Sequence, residues 1–203
     1  MNKTTLLSFI VLIAIVTLVV IKENKSSLNS VVLEEGSVIL AFGDSLTNGF
    51  GVSSEFSYPS QMQKKTGLKV INAGINGEIS SEGLLRLPML LKHKPDLVIL
   101  CHGGNDILNK LSSKELKKNL LAMVKLIQQS GAEVLLVGVP DFSLFSFDTH
   151  ELYGEVADES DVLFEDEILS HIELNRALKS DYVHPNEKGY EMMADAFIKI
   201  LKI

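Results

Sequence analysis

Apolar and polar positions divide the chain into an amino-terminal stretch with no periodicity and a longer part where two periods alternate. From Ser37 onward, short apolar runs at 38–42, 68–71, 97–101, 133–139 and, more weakly, 161–164 predict strands. Between them lie helical patterns. Over 114–130, Leu116, Leu120, Met123, Val124 and Ile127 share one face, and Gly131 follows as a stop. Over 186–202, Tyr190, Met193, Ala194, Phe197, Ile198 and Leu201 do the same. The segment 80–94 carries Leu84, Leu87 and Leu91, with Pro88 expected to kink or split it. A short helical pattern sits near 150–158. Continuous apolar strands alternating with helices imply a parallel sheet covered on both faces. The expectation is one α/β domain of three layers, α/β/α, over 37–203.

The amino terminus reads differently. Thr4 to Ile21 is an uncharged, largely apolar stretch of 18 residues. As a helix it spans ~27 Å, close to the hydrocarbon thickness of a bilayer. It ends Leu18-Val19-Val20-Ile21-Lys22, without the small-x-small site of a cleaved signal peptide. Residues 1–21 are therefore expected to be a signal anchor, with secretion after cleavage as the other reading. Polar residues 22–36 form a linker of at most roughly 50 Å. The catalytic domain is then expected outside the cytoplasm, tethered to the membrane.

Composition narrows the function. The chain of 203 residues has 46% hydrophobic and 22% charged residues and a net charge of −7. That balance, with no basic stripe and no Trp, argues against nucleic acid as a partner. The single cysteine, Cys101, excludes an intrachain disulfide and closes an apolar run, as a core thiol does.

Candidate chemistry gathers at the carboxyl ends of the predicted strands. Gly43-Asp44-Ser45-Leu46 follows the first, which places a serine hydroxyl where α/β folds build their sites. A serine hydroxyl needs an adjacent base. His184 is the candidate, because Asp181 stands three residues before it and can hold the imidazole from one turn. Pro185 suits the first position of the closing helix. Backbone N–H of Ser45, backbone N–H of Gly77 and the side-chain amide of Asn105 are candidate donors to an oxyanion. Asn105 also reads as a helix cap. Among the other histidines, His93 looks solvated, and His150 and His171 fall in acidic stretches. His102 follows a strand directly, which puts it near the site level as a candidate lining residue, but it has no carboxylate close in sequence. The segment 140–161 holds Phe142, Phe145 and Phe147, which either pack beneath their loop or line an apolar groove.

As a set these segments resemble the SGNH hydrolases, the GDSL-type esterases and lipases. The resemblance runs from Gly43-Asp44-Ser45-Leu46-Thr47 through Asn72-Ala73-Gly74-Ile75-Asn76-Gly77 and Gly103-Gly104-Asn105-Asp106 to Asp181-Tyr182-Val183-His184-Pro185. Val70 to Gly77 and Gly83-Leu84-Leu85-Arg86-Leu87-Pro88 look like the branch that contains bacterial thioesterase I, lysophospholipase and arylesterase. The resemblance implies a flavodoxin-like strand order 2-1-3-4-5 and hydrolysis of esters or thioesters through an acyl-serine, with no cofactor and no metal. It puts the glycine donor at Gly77 rather than Gly74, and it makes Asp44 and Asp106 supporting groups. The substrate it implies is a small acyl ester or lipid. The segment 140–160 departs from the branch, and the expected anchor sets the chain apart from its soluble exported members.

Other readings remain on the same residues. One is a carbohydrate O-acetylesterase, and another a non-catalytic, membrane-tethered binding module. A metallophosphoesterase would also use Asp, Asn and His, but no further histidine pair accompanies the strand ends. The α/β-hydrolases place Ser within G-x-S-x-G and keep Asp far from His in sequence, unlike the spacing here.

Overall fold

Five apolar runs form strands, and all of them pair in one direction. The structure, a computed structural model, describes residues 31–142 and 148–201. The strands are β1 (Val38–Gly43), β2 (Lys69–Gly74), β3 (Leu97–Cys101), β4 (Glu133–Val137) and β5 (Leu163–Glu165). They make one parallel sheet in the order β2-β1-β3-β4-β5. Parallel pairing buries both faces. Ile39, Leu40, Ala41 and Phe42 of β1 and Leu97 to Leu100 of β3 are accordingly shut off from solvent.

Helices cover the two faces. They are α1 (Ser45–Asn48), α2 (Tyr58–Thr66), α3 (Ser80–Leu90), α4 (Gly104–Leu108), α5 (Ser113–Gln129), α6 (Glu151–Ser160), α7 (Ile168–Leu174) and α8 (Glu187–Leu201). α2 packs on α8, where Tyr58 and Phe197 meet edge to face at 5.1 Å. α5 packs between α3 and α6. The predicted stripe of α5, from Leu116 to Ile127, is its buried face. In α8 the stripe is buried except for Ile198, which is half-buried.

Several boundaries differ from expectation for local reasons. Pro88 does not split its helix. It stands in the last turn of α3, which tightens into a 3₁₀ turn at Leu91–His93. β5 starts at Leu163 rather than 161, because Asp161 closes α6 with φ +51°. Pro185 is not the first residue of α8. Asn186 caps that helix by accepting from Gly189 N–H at 3.1 Å, and Pro185 bridges to Lys179 instead. The expected anchor over 1–21 lies outside the described residues. Among the described residues no helix is long and apolar enough to cross a membrane.

Register explains where the site forms. Gly43 pairs with Gly74 on one side and Cys101 on the other, so β1, β2 and β3 end at one level. The chain reverses its direction of sheet growth between β1 and β3. Such a switch point leaves a crevice at the carboxyl ends of the strands, and Ser45, Gly77 and Asn105 each follow one of these three strand ends.

Candidate active site

Ser45 occupies the first position of α1, a helix of four residues that starts directly beyond β1. Asp44 caps it by accepting from Leu46 N–H at 3.1 Å. The Ser45 hydroxyl projects toward His184, whose Nε2 lies 3.0 Å from Oγ. On the other side of the ring, Nδ1 lies 2.8 Å from Asp181 Oδ2. The three predicted residues thus form one unbroken hydrogen-bonded line.

The loop that carries Asp181 and His184 is closed on itself. Asp181 Oδ1 accepts from the backbone N–H groups of Val183 and His184 at 2.8 and 2.7 Å. Ser180 N–H donates to the His184 carbonyl at 2.8 Å. Below the loop, Lys179 and Glu173 form an ion pair at 2.5 Å, and both side chains are buried. The Phe50 ring lies 4.4 Å from the imidazole of His184, and Tyr190 holds the Phe50 carbonyl at 3.0 Å. The imidazole is therefore restrained in plane and in tautomer. Partial burial pushes the Asp181 carboxyl upward, but the two backbone N–H donors and then the imidazole outweigh it. The carboxyl is held down at about 2.

The candidate oxyanion donors flank Ser45. Ile75 to Glu78 form a turn with Gly77 at φ +78°, a conformation glycine adopts without strain. A side chain at Gly77 would meet nothing within 4 Å, so the turn itself stands at an open edge. Gly74 is different: a Cβ there would sit 2.1 Å from Asn48 N, which makes it a packing glycine between β2 and α1. Among the described residues neither Ser45 N–H nor Gly77 N–H donates to a protein acceptor. Asn105 Nδ2 donates to the Glu78 carbonyl at 3.0 Å and to Asp44 Oδ2 at 3.3 Å. Both of its N–H bonds have acceptors in the protein, so donation to an oxyanion redirects one of them.

Asp44 and Asp106 have structural partners. Asp44 is buried and joins Leu46 N–H to Asn105; burial raises its carboxyl pKa. Asp106 accepts from Ser80 Oγ at 2.6 Å and Ser80 N–H at 2.8 Å, which ties the start of α4 to the start of α3. Cys101 is buried at the sheet centre, and burial pushes its thiol well up, away from the reactive thiolate. Among the described residues no group of three or more His, Cys, Asp or Glu is placed to hold a metal ion.

The family model described as GDSL-like Lipase/Acylhydrolase family matches residues 41–192, which include every group named above. The chain belongs to the GDSL-like lipase/acylhydrolase family. Two curated relatives agree. An arylesterase of Vibrio mimicus is 31% identical over 168 residues, 77% of this chain and 84% of that protein. Thioesterase 1/protease 1/lysophospholipase L1 of Escherichia coli K12 is 30% identical over 172 residues, 81% and 83% of the two chains. Among solved structures, the crystal structure of TesA superposes with a TM-score of 0.73 at 28% identity, over 82% of this chain and 98% of that one. AlinE4, an SGNH-hydrolase family esterase, gives 0.65 at 29% identity over 84% and 97%. The chain is a serine ester hydrolase with the SGNH fold.

Within this GDSL-like enzyme, two groups were not expected from sequence. His102 does have a carboxylate partner, and it does not line the site. Its Nε2 lies 3.0 Å from Glu78 Oε2, and the ring is fully buried beneath the Asn105 loop. Arg86 binds the same carboxylate through Nε and Nη2, each at 2.5 Å. His150 caps α6 by accepting from Leu152 N–H, and His93 is exposed. Of the three phenylalanines, Phe142 is half-buried; Phe145 and Phe147 lie outside the described residues.

Proposed function

We propose that Ser45, His184 and Asp181 carry the ester hydrolysis of this chain. The hydrogen-bonded line Ser45 Oγ–His184–Asp181 is the observation that supports it. Ser45 Oγ attacks the acyl carbonyl while His184 Nε2 takes its proton. Asp181 holds Nδ1–H and stabilises the imidazolium. The negative charge on the carbonyl oxygen is met by Ser45 N–H, Gly77 N–H and one N–H of Asn105. His184 then protonates the leaving alcohol or thiol. A water attacks the acyl-serine, with its proton taken by His184, and Ser45 is restored. Ser45→Ala is expected to abolish turnover of p-nitrophenyl esters while the far-UV spectrum and melting temperature stay as in the wild type. Unchanged turnover in that variant removes the assignment.

The substrate proposed is an acyl ester or thioester with an apolar acyl chain. Ile75, Leu108 and Leu111 are exposed apolar side chains on or just beyond the two loops that bear Gly77 and Asn105. A panel of p-nitrophenyl esters from acetyl to palmitoyl, with a lysophospholipid and an acyl-thioester, tests it. Activity confined to acetyl esters contradicts it and favours a sugar O-acetylesterase.

The apolar stretch Thr4–Ile21 supports a further proposal, that the enzyme is anchored to a membrane with its domain outside the cytoplasm. Carbonate-resistant membrane association of the full chain, lost when residues 1–24 are deleted, is the expected result. Recovery of the full chain in the soluble fraction contradicts it.

A further inference from the structure

Behind the Ser45 crevice lies a second charged group that the reaction scheme does not use. Glu78, Arg86 and His102 come from the turn after β2, from α3 and from the residue after β3. Arg86 and His102 converge on the Glu78 carboxylate, and the side chains of Glu78, Arg86 and His102 are only 5%, 22% and 0% exposed. Arg86 does more than pair with Glu78. Its Nη2 also donates to the Gly43 carbonyl at 3.1 Å and to the Ala73 carbonyl at 2.8 Å, and its guanidinium lies 4.3 Å above the Phe42 ring. Gly43 is two residues before Ser45. Ala73 is four residues before Gly77.

His102 has a defined tautomer. Its Nδ1 accepts from Gly103 N–H at 2.9 Å, so the ring proton sits on Nε2 and is donated to Glu78. The ring therefore links Glu78 to the first residue of the Gly103-Gly104-Asn105 loop. Tyr153 fixes the same point by donating to the His102 carbonyl at 2.8 Å. Space for the imidazole comes from α3, where a Cβ at Gly83 would lie 2.3 Å from Nε2. The backbone carbonyl of Glu78 closes the circuit by accepting from Asn105 Nδ2.

The strand end before Ser45, the strand end before the Gly77 turn and the residue before α4 are thus tied, through Arg86 and His102, to one buried carboxylate. A buried ion pair adds little net stability over apolar residues of the same volume. What it adds is direction, because each donor and acceptor has one favourable placement. Resting on the ester-hydrolase reading of Ser45, we infer that Glu78, Arg86 and His102 are positioning residues. They set the spacing of Ser45, Gly77 and Asn105 around the oxyanion.

A thiono substitution tests this. A C=S carbonyl accepts hydrogen bonds poorly, so the rate ratio of p-nitrophenyl butyrate to p-nitrophenyl thionobutyrate reports how well the donors are aimed. Arg86→Lys keeps the charge but lacks the planar fork that holds both Glu78 oxygens while also reaching the two carbonyls. Glu78→Gln keeps the volume but sets an amide NH₂ against one of the two donors. Per active site, titrated with a fluorophosphonate, both variants are expected to lose about 10- to 100-fold in kcat with KM within threefold. Their oxo/thiono ratio should fall toward that of Asn105→Ala. His102→Gln, which keeps a donor for Glu78, should retain more activity than His102→Leu. Variants that melt earlier or lose active sites, yet keep the wild-type ratio and kcat per site, overturn the inference. If the wild type hydrolyses neither ester, the ester-hydrolase reading fails first and this inference goes with it.

Discussion

Two histidines in this molecule each hold a carboxylate at hydrogen-bond distance, and the third group each imidazole meets sets them apart. His184 lies 2.8 Å from Asp181, and its other nitrogen faces the Ser45 hydroxyl at 3.0 Å. Its side chain is 20% exposed and that of Asp181 44%. His102 lies 3.0 Å from Glu78, its other nitrogen is consumed by a backbone N–H, and both side chains are buried. A ring with one nitrogen on a hydroxyl at an open edge can move a proton to and from substrate. A ring saturated by protein on both sides can only hold its neighbours in place. A histidine–carboxylate pair by itself therefore does not specify a role.

Alanine at each histidine should invert the two effects. His184→Ala is expected to lower kcat by roughly ten-thousand-fold with little change in the urea midpoint. His102→Ala leaves Glu78 short of a donor and opens a buried space. It should cost about 3 kcal/mol of stability, with a kcat loss of at most about 100-fold per active site. Equal kcat losses for the two variants would dissolve the distinction. Next in size, Asn105→Ala should lower kcat by about 100- to 1000-fold without a matching rise in KM; a pure KM effect would move Asn105 out of the oxyanion site.

The two regions also differ in how far they could be read from the chain. Asp181 and His184 are three residues apart, so one turn brings them together and their pairing is visible in the sequence. Ser45 and Asn105 were visible because each lies within four residues of the end of a continuous apolar run. The cluster around Glu78 gave no such signal. Glu78, Arg86 and His102 are separated by eight and sixteen positions and meet only because β2, α3 and β3 stack. Arg86 reads as an ordinary helix charge until α3 is docked over the sheet. The one usable clue was a histidine immediately after a buried strand, since a ring placed there has to find a partner inside. Local chemistry also moved boundaries that periodicity placed well enough. The Asn186 cap took the start of α8 from Pro185, and Asp161 in the left-handed region delayed β5.

Beneath the His184 loop, the Glu173–Lys179 pair supplies a smaller test. Glu173→Gln leaves the Lys179 ammonium buried without its countercharge and should destabilise the fold by about 3 kcal/mol, read as a lower urea midpoint. Its kcat should fall far less than in His184→Ala, because the triad contacts are made by other atoms. The smallest expected effect concerns pH. The folded carboxyl of Asp181 is held at about 2, below its ordinary 3.8. Its contribution to stability is therefore present above pH ~4 and is lost as pH falls toward 2. In the working range it stays ionised, so Asp181 should add no acid limb to kcat/KM above pH 4. An acid limb above pH 4 that vanishes in Asp181→Asn would contradict this.

The most direct test of the account is to find where the acyl group goes. The wild-type protein is mixed with a slowly deacylating p-nitrophenyl ester, quenched in acid and mapped by peptide mass spectrometry. The account predicts one acyl adduct, on Ser45, that forms at the rate of the p-nitrophenol burst and is lost in His184→Ala. An adduct at another residue, or steady hydrolysis by Ser45→Ala without any adduct, would show that the hydroxyl beside His184 is not the nucleophile.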